Sequence, residues 1–93
     1  MDYVLRCVNE NEHYEGYVIP NNVVAFDFEI DDATSEEKDP IVKRVTFRGV
    51  DGCWYCCDEL EIAFNGNTIV YMSFDERGIW RKSEVLKVLM KVF

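Results

Sequence analysis

The chain has 93 residues, of which 48% are hydrophobic and 14% aromatic, and it carries a formal net charge of -8. This length supports one hydrophobic core and leaves no room for an active-site cleft between two domains, and the composition excludes a disordered chain. Neither an apolar run of about 18 residues nor a basic leader occurs. We therefore expect a single soluble, cytoplasmic domain over residues 1–93, with no membrane partner.

The first three predicted elements are strands. Residues 3–8 are rich in β-formers and end in the polar stretch 9–12, and a second short strand is predicted over residues 14–19. After a break at residues 20–22, an alternating pattern indicates a half-buried strand. Its buried face is predicted to contain Val24, Phe26, Phe28 and Ile30.

Residues 31–40 have almost no apolar content and end in a proline, so they are predicted to form an exposed loop, which we call the acidic loop. The next predicted strand, residues 41–50, runs into Asp51 and Gly52. This dipeptide is typical of a two-residue type I′ hairpin and predicts that Val50 pairs with Cys53.

The predicted hairpin fixes the opposed residues along both strands. It places Phe47 opposite Cys56 and Arg44 opposite Glu59. A slip of one residue would move every side chain to the other face of the sheet, so these pairs test the turn directly.

The strand after the turn is predicted to continue from residue 53 to residue 64. Asp58 is the one polar residue on its apolar face, so we expect a bulge near it. The same register sets Asp58 diagonally beside Lys43. The alternatives for this pair are an outward rotation of Asp58, an ion pair at the edge of the core, or a functional pair.

Residues 65–67 are predicted to form a three-residue loop before a strand over residues 68–74. This loop length pairs Leu60 with Met72 and Ile62 with Val70.

The pattern then becomes helical up to the C-terminus, with Ser83 as the expected N-cap and Glu84 in the first turn. Apolar residues cover most of the circumference of this helix, so part of it is expected at an interface. These residues are Val85, Leu86, Val88, Leu89, Met90, Val92 and Phe93. We predict an α+β fold in which an antiparallel sheet of about five or six strands, the last four forming a meander, packs against one C-terminal helix.

Four cysteines form a poor disulfide framework because three of them are clustered: Cys7, Cys53, Cys56 and Cys57. The C-x-x-C spacing lacks a second pair of zinc ligands and lacks the helix N-terminus that redox sites use. We expect reduced, buried structural thiols without metal. A small zinc-binding domain stays open as an alternative.

No catalytic signature is found. His13, the only histidine, lies in a polar turn and is expected to be solvated, and phosphate loops and nucleophile elbows do not occur. We therefore predict neither an enzyme nor a cofactor. Direct binding of nucleic acid is disfavoured because the basic residues from Arg77 onward form no extended patch on a negatively charged molecule.

The acidic charge is concentrated in one part of the chain, since residues 9–39 contain ten acids and one base. Surfaces that grip nucleic acid are basic, so a compact acidic domain can occupy them. The predicted partner-binding residues are Asp31, Asp32, Glu36, Glu37 and Asp39, with Glu10 and Glu12 as support.

In size and charge alone, the chain resembles small acidic inhibitors of nucleases, of nucleic-acid-guided effectors and of toxins. We predict a stoichiometric inhibitor that blocks a basic surface of a partner protein. The alternatives are a homo-oligomer that uses the C-terminal helix as its interface, and an acidic segment that serves only as solvated surface.

Overall fold

The computed structural model describes residues 2–75 and 79–93, and these residues form seven strands and one α-helix, so the α+β class is confirmed. The basic residue Arg77 lies outside the described residues. Short 3₁₀ turns cover Pro20–Asn22 and Asp32–Thr34. The strands and the helix are β1 Tyr3–Asn9, β2 Tyr14–Val18, β3 Val23–Ile30, β4 Val42–Gly49, β5 Trp54–Cys57, β6 Glu59–Phe64, β7 Asn67–Ser73 and α1 Lys82–Val92.

The strands are divided between two antiparallel sheets instead of forming one sheet of five or six. The four-stranded sheet has the order β2-β1-β6-β7, and the three-stranded sheet has the order β3-β4-β5. The C-terminal meander is therefore interrupted, because β5 and β6 are consecutive in the chain but belong to different sheets.

Asp58 lies where the chain passes from one sheet to the other, so the expected bulge is a complete break between strands. Its backbone N–H donates to the carbonyl of Val8 (2.8 Å), and its carbonyl accepts from Phe74 (2.9 Å). Of the alternatives for Asp58 and Lys43, an ion pair between them does not form, because Lys43 is exposed and Asp58 pairs with Arg44 instead.

The register of the β4–β5 hairpin differs by one residue from the prediction. Phe47 lies opposite Tyr55, and Thr46 lies opposite Cys56. The predicted pair of Arg44 and Glu59 is also wrong, because Glu59 belongs to β6 in the other sheet.

The reason for the shift lies in the turn. A type I′ turn needs positive φ at both central residues, but of Asp51 and Gly52 only the glycine has it (85°). The N–H of Gly52 donates to the carbonyl of Gly49 (3.0 Å), and the Asp51 carboxylate accepts the N–H of Cys53 (3.0 Å). The result is a three-residue loop that ends in a glycine with left-handed backbone geometry.

The β6–β7 hairpin confirms both predicted pairs, Leu60 with Met72 and Ile62 with Val70. Its turn nevertheless contains only two residues, Asn65 (φ 50°) and Gly66 (φ 84°). A register shift after Ile62 leaves Ile69 without an opposed residue and restores the pairing that a longer loop would have produced.

A second register shift changes the buried face of β3. The shift lies between Val23 and Ala25, so Val24 is 51% exposed and Val23 packs against the core in its place. Phe26, Phe28 and Ile30 also pack against the core, as predicted.

Both sheets and the helix contribute to one core. The largest fully buried side chains include Leu5, Leu60 and Ile62 from the four-stranded sheet and Phe47 from the three-stranded sheet. Burial of each such side chain contributes about 1.5–3 kcal/mol to folding. On α1, Val85, Leu89 and Val92 are buried, and Phe93 stacks on Phe26 with ring centroids 5.7 Å apart.

The N-cap of α1 is Arg81 and not Ser83. Glu84 lies in the first turn, as predicted, and its carboxylate accepts the backbone N–H of Arg81 (3.0 Å). No helix of the described chain has the length and apolar character needed to cross a bilayer.

Candidate functional site: an acidic cleft beside the acidic loop

The acidic loop is folded by its own hydrogen bonds. Asp31 accepts the N–H of Ala33 (3.0 Å) and so caps the 3₁₀ turn that follows it. Thr34 is buried, and its hydroxyl donates to the carbonyl of Asp31 (2.9 Å) and accepts the N–H of Ile41 (2.9 Å). The loop therefore has a defined shape despite its lack of apolar residues.

Two of the predicted binding acids fasten the loop to the start of α1. Glu37 forms an ion pair with Arg81 at 2.8 Å. Asp39 accepts the N–H (2.8 Å) and the hydroxyl (2.5 Å) of Ser83, and these hydrogen bonds lower the pKa of Asp39. Both residues thus have a structural role that the sequence did not indicate.

Asp32, Glu36 and Glu37 are the exposed acids of the loop, and of these Glu37 is already paired with Arg81. Asp31 is half-buried, and its second role, as part of a cleft, is described below. Asp31, Asp32 and Glu36 are the members of the predicted set in the loop whose charge is available to a partner, since the other two already face Arg81 and Ser83.

The supporting acids lie in the β1–β2 turn. The backbone N–H of Glu10 donates to Asp58 (3.2 Å), and that of Glu12 donates to the buried Asn9 (3.3 Å). A hydrogen bond with Glu10 raises the pKa of Glu59, because a proton shared between two carboxyl groups relieves their repulsion. His13 is exposed in this turn, as predicted.

One cleft of about 570 Å³ brings the turn and the loop together, and we call it the acidic cleft. Glu10 and Asp31, which are predicted binding residues from separate segments, both line it. Glu12, Asp32, Glu36, Glu37 and Asp39 lie outside this lining. The other lining residues are Asn11, Ile41, Val42, Lys43, Arg44, Asp58, Phe74, Asp75 and Ile79.

Arg44 lines the cleft and forms two ion pairs. Arg44 contacts Asp58 (3.0 Å) and Glu29 (3.5 Å), and the hydrogen bond with Asp58 raises the pKa of Arg44. Its charge is therefore matched within the fold. Among the described residues, the lining contains four acidic and two basic side chains, so this described lining is negative.

Sequence reasoning missed the role of Arg44. Asp58 could have indicated that role, because a single carboxylate on an otherwise apolar face needs a positively charged or hydrogen-bonding partner. The incorrect hairpin register placed Lys43, and not Arg44, beside Asp58. With the observed register, Arg44 is the nearest base on β4.

Every buried side-chain nitrogen and oxygen atom of the described residues has a hydrogen-bond partner. In residues 2–75 and 79–93, no group of three or more histidine, cysteine, aspartate or glutamate side chains is arranged to hold a metal ion. The negative lining attracts positively charged groups.

The cysteines occupy three environments. Cys7 and Cys57 are buried, Cys56 is half-buried and Cys53 is exposed, so the prediction of buried thiols is wrong for Cys53. Burial, together with the neighbouring Cys7, raises the pKa of Cys57. Cys57 faces the core and Cys56 faces outward, as expected for adjacent residues of a strand.

Comparison of the chain with protein-family models, with curated proteins and with solved structures finds no match.

Proposed function

We propose that this protein is a small acidic protein-binding module that acts as a stoichiometric inhibitor. It would cover a basic, nucleic-acid-handling surface of a partner protein, in the manner of phage anti-defence or toxin-immunity proteins. One observation carries the proposal. Two acidic segments that are separate in the chain, represented by Glu10 and Asp31, lie on a single negative cleft.

The electrostatics support a basic partner. A surface that binds phosphates presents lysine and arginine side chains, and carboxylates on a folded domain attract the same side chains. Such attraction acts over a Debye length of about 8 Å at physiological salt, so exposed acids accelerate the encounter of the two proteins. Asp32 and Glu36 are exposed beside the cleft-lining Asp31 and suit this role.

The loop is ordered before a partner arrives. Its contacts with Arg81 and Ser83 hold it against α1, and its buried Thr34 fixes its centre. A preformed binding surface loses less conformational entropy on association than a flexible one, so more of the interaction energy contributes to affinity.

The experiment has two stages. First, the tagged chain is used to isolate a partner from its native host. The purified partner is then titrated with nucleic acid in the presence of increasing amounts of the chain. We expect one equivalent of the chain to abolish nucleic-acid binding by the partner.

Two variants of equal net charge make the test specific. D31N/D32N/E36Q removes three charges from the cleft and its flank, whereas E15Q/D27N/E61Q removes three from the outer faces of the sheets. The first should lose inhibition and the second should keep it. A ternary complex of chain, partner and nucleic acid, or equal loss in both variants, would contradict the proposal.

A further inference from the structure

Strand β7 forms one edge of the four-stranded sheet and pairs only with β6 among the strands of the described chain. Its seven residues, Asn67–Ser73, include no charged side chain and no proline, although 30% of the whole chain is charged. A neutral edge strand of this length presents unpaired backbone N–H and C=O groups to any strand that can approach it.

The other edges of the two sheets are less open. β2 has five residues and carries Glu15, β3 carries Asp27 and Glu29, and β5 has only four residues. Charged side chains and short length are the usual protections of edge strands against pairing with another chain. β7 has neither, and its one irregularity is the register shift at Ile69.

Two apolar side chains of β7 are exposed. Ile69 is 55% exposed and Tyr71 is 47% exposed. Aromatic and β-branched residues on one face of adjacent strands stabilise strand pairing. The strand therefore offers both backbone groups and side chains to a partner strand.

We propose that a second copy of this chain pairs with β7 in antiparallel orientation and joins the two four-stranded sheets into one continuous sheet. A two-fold axis at Tyr71 sets the two Tyr71 rings beside each other and pairs Val70 with Met72 of the second copy. This register leaves the irregularity at Ile69 near the end of the ladder.

The lack of charge in β7 makes this edge the place where a second copy can approach. A molecule with a net charge of -8 repels its own copies over most of its surface, so self-association requires a neutral contact. A two-fold axis also brings identical residues together, and a strand without charges brings no like charges into contact. The proposal is independent of the inhibitor function, since it uses none of the residues of the acidic cleft.

The test is the mass in solution across a dilution series, measured by sedimentation equilibrium. The wild-type chain should approach twice its 10.9 kDa as concentration rises. Hydrogen exchange at the backbone amides of β7 should slow only at those concentrations at which the dimer forms. A wild-type mass of one chain throughout, without added protection in β7, overturns the proposal.

Charge reversal across the axis tests the register. Tyr71→Lys and Tyr71→Glu each place two like charges together, so each variant alone should be monomeric. A mixture of the two should recover the doubled mass, because opposite charges then meet. A mixture that stays monomeric overturns this register. Melting curves show whether each variant is folded.

Two exposed apolar residues elsewhere provide matched controls. Tyr17 on β2 is 62% exposed, and Met90 on α1 is 70% exposed. Tyr17→Lys and Met90→Lys should both keep the doubled mass. Loss of the dimer in Met90→Lys, with its retention in both Tyr71 variants, moves the interface to the helix and overturns the proposal.

Discussion

The carboxylate of Asp39 accepts two hydrogen bonds from Ser83, one from the backbone N–H at 2.8 Å and one from the hydroxyl at 2.5 Å. Backbone N–H groups in the first turn of a helix lack partners within the helix, and the helix dipole favours a negative charge there. An acid from the acidic loop thus satisfies a free N–H group in the first turn of α1, beyond the N-cap Arg81. This contact separates the acids of the loop that support the fold from those available to a partner.

Replacement of Asp39 by alanine should lower the thermal unfolding midpoint at neutral pH, whereas Asp32→Ala should leave it nearly unchanged. The Ser83 hydroxyl and backbone N–H hold the pKa of Asp39 below its usual 3.8. The stabilisation is therefore complete above pH 3.8 and is lost as the pH falls through the lower, folded-state pKa. The difference in unfolding midpoint between wild type and Asp39→Ala should shrink in that acid range. A difference in midpoint that does not change with pH would contradict a stabilising role for the Asp39 charge.

The effects of replacing Arg44 and Asp58 on the free energy of unfolding should be coupled. Asp58→Ala leaves a half-buried guanidinium without its nearest partner, and we expect a loss of about 1–3 kcal/mol in the free energy of unfolding. Urea denaturation of Arg44→Ala, Asp58→Ala and the double variant should give a coupling energy of about 0.5–3 kcal/mol. The control is Lys43→Ala on the same strand, which should show no coupling with Asp58→Ala.

The four thiols should react at different rates with a thiol-specific reagent. Cys53 should react first, and Cys7 and Cys57 should react only when the chain unfolds, because they are buried. Hydrogen bonding with Asp51 raises the pKa of Cys53. Asp51→Asn should therefore increase the thiolate fraction of Cys53 and its reaction rate at about pH 8. Loss of the fast phase in Cys53→Ser identifies the residue, and a fast phase that survives would assign it elsewhere.

Much of the fold follows from local sequence pattern. The strand positions, the β6–β7 pairs and the helix were predicted because alternation and helical periodicity record which face meets the core. The β4–β5 register failed because Asp51 and Gly52 are compatible with two hairpins. The choice between them depends on a hydrogen bond between Asp51 and Cys53 that no periodicity reports.

The division into two sheets was missed for a related reason. A single polar residue in an alternating strand, here Asp58, has the same sequence pattern whether the strand bulges or ends. The contact of Asp39 with the first turn of α1 was missed because Asp39 is far from Ser83 in the chain, and rules for helix starts use only adjacent residues. The acidic segments of the candidate site were predicted from the sequence. Only the tertiary structure shows that both segments line one cleft.

The proposed binding role makes a specific claim about rates. Acids that steer a basic partner should change the association rate constant more than the dissociation rate constant, and salt should weaken their effect. Glu37 and Asp39 are left intact in this test, because their replacement would disturb the loop itself. Asp31→Asn keeps a side-chain oxygen that can accept the N–H of Ala33, so it removes the charge and retains the cap of the 3₁₀ turn.

The most direct measurement is the association rate of D31N/D32N/E36Q with the isolated partner, taken by stopped flow from low to high salt. We expect a rate about tenfold below wild type at low salt, a weaker dependence on salt and an unchanged unfolding midpoint. The control E15Q/D27N/E61Q should associate as the wild type does. An association rate and a salt dependence equal to those of the wild type would contradict the account and leave the acidic loop as solvated surface.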